Sequence, residues 1–172
     1  SLLLLCKIEN GQFADTRSVC LNDILTHYLD DYKEVYAYRN ITVTVTTDSS
    51  FCVEMNDSLV SVLVTNLLKN SFVHNIDGGF IYIKITANTF EISNTGEKPL
   101  DRERIFERFY QGQKKEGSTG LGLALSKNII YLHHGDIAVQ SQVGYGTIFT
   151  VTLLKGKNHF ENDKNAILLE SP

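Results

Sequence analysis

Between Asn56 and Ser93 the spacing of apolar residues changes from the period of a helix to that of a strand. Leu59, Val60, Leu63, Val64, Leu67 and Leu68 recur at helical intervals, which predicts a helix beginning after Asn56 and running to about Val73. Gly78-Gly79 ends that pattern. Phe80 to Thr86 and Thr89 to Ser93 then read as a hairpin turning at Ala87-Asn88. An apolar helix stripe next to strands with one apolar face buries both by packing one on the other.

The remaining chain fits around this unit. Ser1 to Phe13 reads as the end of a helix, with Leu2, Leu5 and Ile8 on one side and a stop near Gly11. A second helix is expected from about Asp23 to Ala37, capped by Asn22, with Ile24, Leu25, Tyr28, Leu29, Tyr32, Val35 and Tyr36 as its stripe. Ile41 to Thr47 alternates as a half-buried strand, and Phe51 to Met55 reads as its partner across Asp48-Ser49-Ser50. A short helix is expected near Asp101 to Phe109, and a longer one from Gly120 to His134, ended by Gly135. Ile137 to Gln140 and Thr147 to Leu154 are closing strands joined at Gly144-Tyr145-Gly146, and Lys155 to Pro172 is a polar tail. Together these give an α+β sandwich, helices on one face of a mixed, mostly antiparallel sheet.

Composition narrows the function classes. A chain of 172 residues, 42% hydrophobic and 21% charged, suits one domain with a short extension. A formal charge of −4 and no basic stripe argue against nucleic acid as a partner. Cys6, Cys20 and Cys52 share no metal-ligand spacing and read as reduced thiols that pack as small apolar groups. Leu2 to Leu5 is too short to span a bilayer and lacks the flanks of a signal peptide.

Three clusters carry chemistry. Asn66 and Asn70 lie four apart on the predicted third helix, and His74 continues their line. Asparagine is a poor helix-interior residue, so two on one face point to a task beyond helix formation. A neutral amide oxygen suits the shell of a magnesium ion, which otherwise keeps waters and phosphate oxygens; a solvated polar face is the plainer alternative. Gly117-Ser118-Thr119-Gly120-Leu121-Gly122 leads into a helix whose free N–H groups and dipole favour phosphate, a flexible loop cap being the plainer alternative. It matches neither the dinucleotide fingerprint nor a P-loop. Ile92-Ser93-Asn94-Thr95-Gly96 is a strand running into a glycine turn, where a polar side chain could face a base edge and Gly96 permits close approach; a turn with no ligand is the equally ordinary alternative.

The order of these pieces resembles the ATP-binding domain of bacterial sensor histidine kinases, within the superfamily of gyrase-type, chaperone and mismatch-repair ATPases. The likeness runs from about Ser18 to Leu153. Asn66-Leu67-Leu68-Lys69-Asn70-Ser71 looks like the N box, Asn94 to Lys98 the first glycine box, Ile105-Phe106-Glu107-Arg108-Phe109 the phenylalanine box, and Gly117 to Gly122 the second glycine box. Gly144 to Thr147 is similar to the family's final glycine turn, and Ser1 to Phe13 to the end of its dimerisation helix. The resemblance implies a division into residues 1–17 (end of the dimerisation helix), 18–155 (ATP-binding domain) and 156–172 (tail).

It also assigns roles. Asn70 would coordinate Mg²⁺ and Asn66 support the phosphate site, these two being the catalytic pair. His74 would lie beside the adenine, and Asn94 and Gly96 would meet its edge. Gly117, Thr119, Gly120, Leu121 and Gly122 would form the phosphate end. Residues 96–119 would make a lid anchored by Phe106 and Phe109, from which Lys114 and Lys115 approach the γ-phosphate.

The chain departs from the family pattern at several places. Asn94 stands where aspartate is usual, Lys98 replaces a later glycine, and Val73 takes a position often basic. ATP-hydrolysing relatives and serine kinases of the fold typically carry glutamate where this chain has Asn66. An amide cannot take a proton, which favours transfer to a histidine, a substrate that brings its own nucleophilic nitrogen. None of His27, His74, His133, His134 and His159 sits in a context like the family's acceptor motif; His133 and His134 are expected to cap or pack at a helix end. The expected activity is therefore transfer of the γ-phosphate of ATP to a histidine on a dimerisation domain outside this chain. A response regulator would lie downstream, the fragment would be a cytoplasmic monomer, and its parent a homodimer in the bacterial inner membrane. The alternatives are a degenerate nucleotide-sensing module and an ATP-hydrolysing relative.

Overall fold

The computed structural model describes residues 2–96, 101–111, 120–142, 144 and 146–152. Helix α1 (Leu2–Glu9) is followed by β1 (Arg17–Cys20), α2 (Leu21–Val35), a 3-10 turn at Ala37–Arg39, β2 (Thr42–Thr47) and β3 (Cys52–Met55). Helix α3 (Asp57–Val73), the hairpin β4 (Phe80–Ile85) and β5 (Thr89–Asn94), α4 (Gly122–Leu132), β6 (Asp136–Gln142) and β7 (Gly146–Thr152) complete the described elements. The main sheet runs β2-β4-β5-β7-β6. Its β2–β4 pair is parallel and the other three are antiparallel. On β4, Ile81, Ile83 and Ile85 are buried while Phe80 and Tyr82 are exposed, so the sheet is covered on one face by helices, as the alternation predicts.

Helix α3 sits at the centre. Asn56 caps it, its side-chain oxygen accepting from Ser58 N (3.1 Å) and Leu59 N (3.2 Å). Leu59, Val60, Leu63, Val64, Leu67, Leu68 and Phe72 are all buried, in contact with α2, α4 and the sheet. At its far end Phe72 stacks with Tyr36 (5.2 Å between ring centres) and Tyr32 (6.2 Å). Burial in this stack pushes both tyrosine hydroxyls above their usual pKa, with neighbouring tyrosines adding to the effect.

Several expectations change. Asn22 is not the cap of the second helix; α2 begins two residues earlier than expected, at Leu21 after Cys20. The Asn22 amide instead accepts from Phe51 N (2.8 Å), a partner distant in sequence. Phe51 to Met55 does not pair with Ile41 to Thr47. Strand β3 pairs antiparallel with β1, which the alternation did not reveal, in a separate two-stranded sheet. The stretch from Asp101 to Phe109 is a series of turns and not a helix; the Asp101 carboxylate accepts from Glu103 N and Arg104 N, a local alternative to continuing helical bonds. Cys20 and Cys52 face each other across β1–β3 and are joined as a disulfide, leaving Cys6 exposed and free. The residue in the left-handed region after α4 is His134 (φ 60°), not Gly135.

His133 packs where α4 ends. One ring nitrogen lies 2.7 Å from Ile129 O and the other accepts from Asn56 N (3.3 Å), which ties the end of α4 to the cap of α3. Only the neutral ring serves both contacts, donating to one and accepting from the other. Burial holds its pKa below the usual 6.5, a shift opposed by the Ile129 carbonyl and reinforced by His134. For a group depressed in this way the unfolded chain takes up its proton first as pH falls. This contribution is therefore complete above pH 6.5 and declines below it, towards the folded-state value. We expect urea midpoints to fall between pH about 7.5 and about 5.5, and His133→Gln to flatten that fall; an unchanged pH profile in the variant would refute the assignment.

Candidate functional site

The α3 side of the site is built from one helix face. Asn66 and Asn70 are both half-buried. The Asn66 amide donates to Gly122 O (3.2 Å) at the start of α4, joining the two elements directly. The Asn70 side chain has no hydrogen-bond partner among the described residues, which leaves a half-buried oxygen ligand available. His74 caps the helix, its N–H on Asn70 O at 3.0 Å. Its carbonyl lies 3.5 Å from where a Cβ on Gly96 would stand, so His74 and Gly96 meet although they belong to different elements.

The sheet contributes the second wall. Asn94 is 5% exposed at the end of β5, and its amide NH₂ donates to Thr95 O at 2.8 Å. That bond uses the nitrogen side and leaves the oxygen as the group for an incoming donor. Thr147 pairs directly with Asn94 across β5–β7. It is also 5% exposed, and its hydroxyl has no partner among the described residues. A buried hydroxyl without a partner is costly in a closed core and suits a position that a ligand completes. Gly146, one residue earlier, adopts φ +98° against the backbone of Asn94 and Thr95.

The third wall is the start of α4. Leu121 is buried, and no side chain caps the helix there. Its first N–H groups and its positive dipole end therefore lie beside Asn66 with no side-chain acceptor among the described residues. Gly120 has φ +75°, and a Cβ on it would stand 2.6–2.9 Å from the Phe109 backbone. Phe109 N also donates to Gly120 O (2.9 Å), so the phenylalanine and second glycine boxes abut. Anchoring of the phenylalanine box passes through buried Ile105 and through Phe106, which meets Phe149 edge-on (6.4 Å) under Lys127. Phe109, the other expected anchor, is 61% exposed and is held through its backbone. Lys98, Lys114, Lys115, Gly117 and Thr119 lie outside the described residues.

Three residues that sequence reasoning passed over hold these walls together. Asn75 is buried and donates to Ser71 O (3.1 Å) and Phe80 O (3.0 Å). Its oxygen accepts from Ile76 N (2.8 Å) and from the Thr95 hydroxyl, and Thr95 in turn accepts from Phe80 N (3.0 Å). This network pins the end of α3 to the exit of β5. Arg39 reaches the carbonyls of Phe72, Val73 and Asn75 while its Nε pairs with Asp77 (2.8 Å), a cation on the carbonyl end of α3. Asparagine just past a helix end was a usable signal, because its side chain bonds local backbone there. Arg39 had none, its partners lying more than 30 positions away.

The arrangement provides an acceptor and a hydroxyl at one end, orphan N–H groups at the other, and neutral amides between. It suits a flat, amine-bearing base linked to phosphates. The α3 face carries no carboxylate to act as a base toward water.

Comparison with known proteins agrees. Residues 55–157 match the family described as Histidine kinase-, DNA gyrase B-, and HSP90-like ATPase. The sensor histidine kinase RppB of Synechocystis is 33% identical over 164 residues, covering 88% of this chain and 36% of that protein. The heme sensor protein HssS of Staphylococcus aureus (strain JH9) is 36% identical over 164 residues, covering 88% of this chain and 35% of its own length. The chain thus spans little more than a third of these relatives. In fold it is similar to the catalytic domain of histidine kinase ThkA (TM-score 0.72, 23% identity, 83% of this chain and 97% of that one). It is likewise similar to the mycobacterial sensor histidine kinase MprB (TM-score 0.70, 23% identity, 80% and 97%). With residues 55–157 matched to it, the chain belongs to the family of histidine kinase-, DNA gyrase B- and HSP90-like ATPases.

Proposed function

We propose that this chain binds ATP with a magnesium ion and transfers the γ-phosphate to a histidine on a dimerisation domain of the same parent protein. The observation that carries the proposal is the Asn66–Gly122 bond. It sets a neutral amide face against an uncapped helix start, a place for phosphates with no base beside it. Asn70 is the residue that would hold the magnesium ion, and its amide, without a hydrogen-bond partner among the described residues, fits an oxygen-ligand cation. When bound, such an ion supplies neutralisation of phosphate charge. Lys114, Lys115, Gly117 and Thr119 are assigned to the same phosphate end, and Gly120, Leu121 and Gly122 to its backbone cradle. Transfer here depends on positioning and electrostatics more than on proton abstraction.

At the other end Asn94, Thr147, Gly96 and His74 form the adenine pocket. Asn94→Ala is expected to weaken binding of a non-hydrolysable ATP analogue about tenfold, the worth of one well-placed hydrogen bond, and to reduce discrimination against the 6-oxo purine. Titration calorimetry with both purine analogues checks this, and unchanged ATP affinity would remove Asn94 from the pocket.

Residues 1–17 are assigned to the end of a dimerisation helix, 18–155 to the catalytic domain and 156–172 to a tail. The domain is placed on the cytoplasmic side of a membrane-anchored homodimer that signals to a response regulator. No helix among the described residues is long and apolar enough to cross a membrane. The test of the activity is transfer of labelled phosphate from ATP to a separately supplied acceptor domain. Label on the acceptor histidine is expected. Analogue binding without transfer would favour the nucleotide-sensing alternative, and release of inorganic phosphate alone would favour a hydrolase.

A further inference from the structure

A disulfide within the described fold joins the strands of the two-stranded sheet, which is separate from the five-stranded one. Cys20 and Cys52 are the terminal rung of β1–β3, after Val19↔Val53, Ser18↔Glu54 and Arg17↔Met55. Direct cross-strand opposition brings their side chains together through backbone register alone. Both are half-exposed, whereas Val19 and Val53 on the preceding rung are buried. The sulfurs are therefore on the side that small reagents reach.

Their position in the chain is the second observation. Cys20 is followed immediately by α2, while β3 runs through Asn56 into α3, the helix of Asn66 and Asn70. β1 is the strand by which the segment after α1 joins the domain. Apart from Val19, its side chains are not buried. Its other attachments are peripheral: the Arg17–Asp57 ion pair (2.6 Å), and Asn56 Nδ2 on Asp15 O (3.0 Å), both exposed. A four-residue strand in a two-stranded ribbon holds marginally without further support. The state of the two sulfurs therefore decides how firmly β1 is held to β3.

We propose that Cys20–Cys52 is a reversible thiol–disulfide site, oxidised by peroxides and reduced by dithiols, whose oxidised form clamps β1 onto β3. In the forward direction one thiolate attacks a peroxide oxygen, breaking the O–O bond and forming a sulfenic acid with release of water. The second thiol then attacks the sulfenic sulfur, the S–S bond forms, and a second water leaves. Two thiols give up two electrons and two protons to one peroxide. A dithiol reductant returns both electrons and both protons by exchange through a mixed disulfide. In a reducing compartment, disulfides of this kind are transient and often redox-sensing. The clamp fixes the strand between α1 and α2 against the strand that leads into α3.

The test uses the whole chain, treated with hydrogen peroxide or with dithiothreitol, then labelled by maleimide after unfolding and weighed. With three cysteines of which Cys6 is free, the reduced chain should take three labels and the oxidised chain one, with a Cys20–Cys52 peptide in the digest. Amide exchange across β1 and β3 should slow at least about tenfold on oxidation, and Cys52→Ser should abolish that difference. Three labels after peroxide, or a bond to Cys6, would overturn the site. A Cys20–Cys52 bond with unaltered exchange would overturn the clamp. Affinity for a non-hydrolysable ATP analogue should agree within about twofold between the two forms. Should neither form bind the analogue, the nucleotide reading fails, while the label count and exchange rates still decide the thiol proposal.

Discussion

Asn70→Ala is expected to lower the affinity of this chain for a magnesium-bound, non-hydrolysable ATP analogue about a hundredfold, some 2.7 kcal/mol, without loss of fold. The side chain is half-buried on α3 and has no hydrogen-bond partner among the described residues, so truncation leaves no protein group unsatisfied. Helix propensity rises with alanine, so stability is held or slightly gained. What disappears is a ligand oxygen at the site assigned to the cation. The magnitude should collapse when the metal is chelated, because the wild type then loses the same contribution. Calorimetry with magnesium and with a chelator, on both chains, gives the four affinities needed. Equal affinities for the two chains in magnesium would show that Asn70 holds no cation.

Gly146→Ala should unfold the closing hairpin or destabilise the domain by more than about 3 kcal/mol. Two independent penalties combine there. The backbone sits at φ +98°, a region essentially reserved for glycine. An added Cβ would also stand 2.7 Å from Thr95 Cα and 2.8 Å from Asn94 C, and closer still to Asn94 O. These are main-chain atoms of the neighbouring strand, and moving them breaks the β5–β7 ladder at Asn94↔Thr147. Gly144→Ala makes the control. Its φ is +83°, yet nothing lies within 4 Å of the added atom, so only the conformational cost of about 1 kcal/mol applies. Thermal unfolding of the two variants should separate them clearly; similar midpoints would mean that the close approach at Gly146 is not what the position requires.

What the amino-acid order revealed, and what it hid, divides along sequence distance. The α3 stripe, its Asn56 cap and the β4–β5 hairpin rest on interactions within a few residues, and periodicity exposes those. The order of the boxes singled out Asn66, Asn70, His74, Asn94, Gly96 and Gly120 to Gly122 as candidates, because each box is a local pattern. β1 escaped notice because four residues with one buried side chain carry no readable alternation. β2 was given the wrong partner because strand pairing depends on topology, and its parallel mate β4 comes after an intervening helix. Asn22 looked like a cap, but a hydrogen bond to Phe51 outcompeted that role. Cys20 and Cys52 look unrelated until the register sets them opposite each other.

The parallel pairing of β2 with β4 has a consequence for how binding begins. Parallel neighbours cannot be joined by a tight turn and require a crossover, and here the crossover carries β3 and α3. The helix bearing Asn66 and Asn70 is thus part of the connection that lets the sheet have its β2 edge at all. It does not fray independently of the sheet as a surface appendage would, but belongs to the same cooperative unit. The conformational entropy of arranging the amides is therefore spent when the domain folds, and the face proposed to receive the nucleotide is already in place.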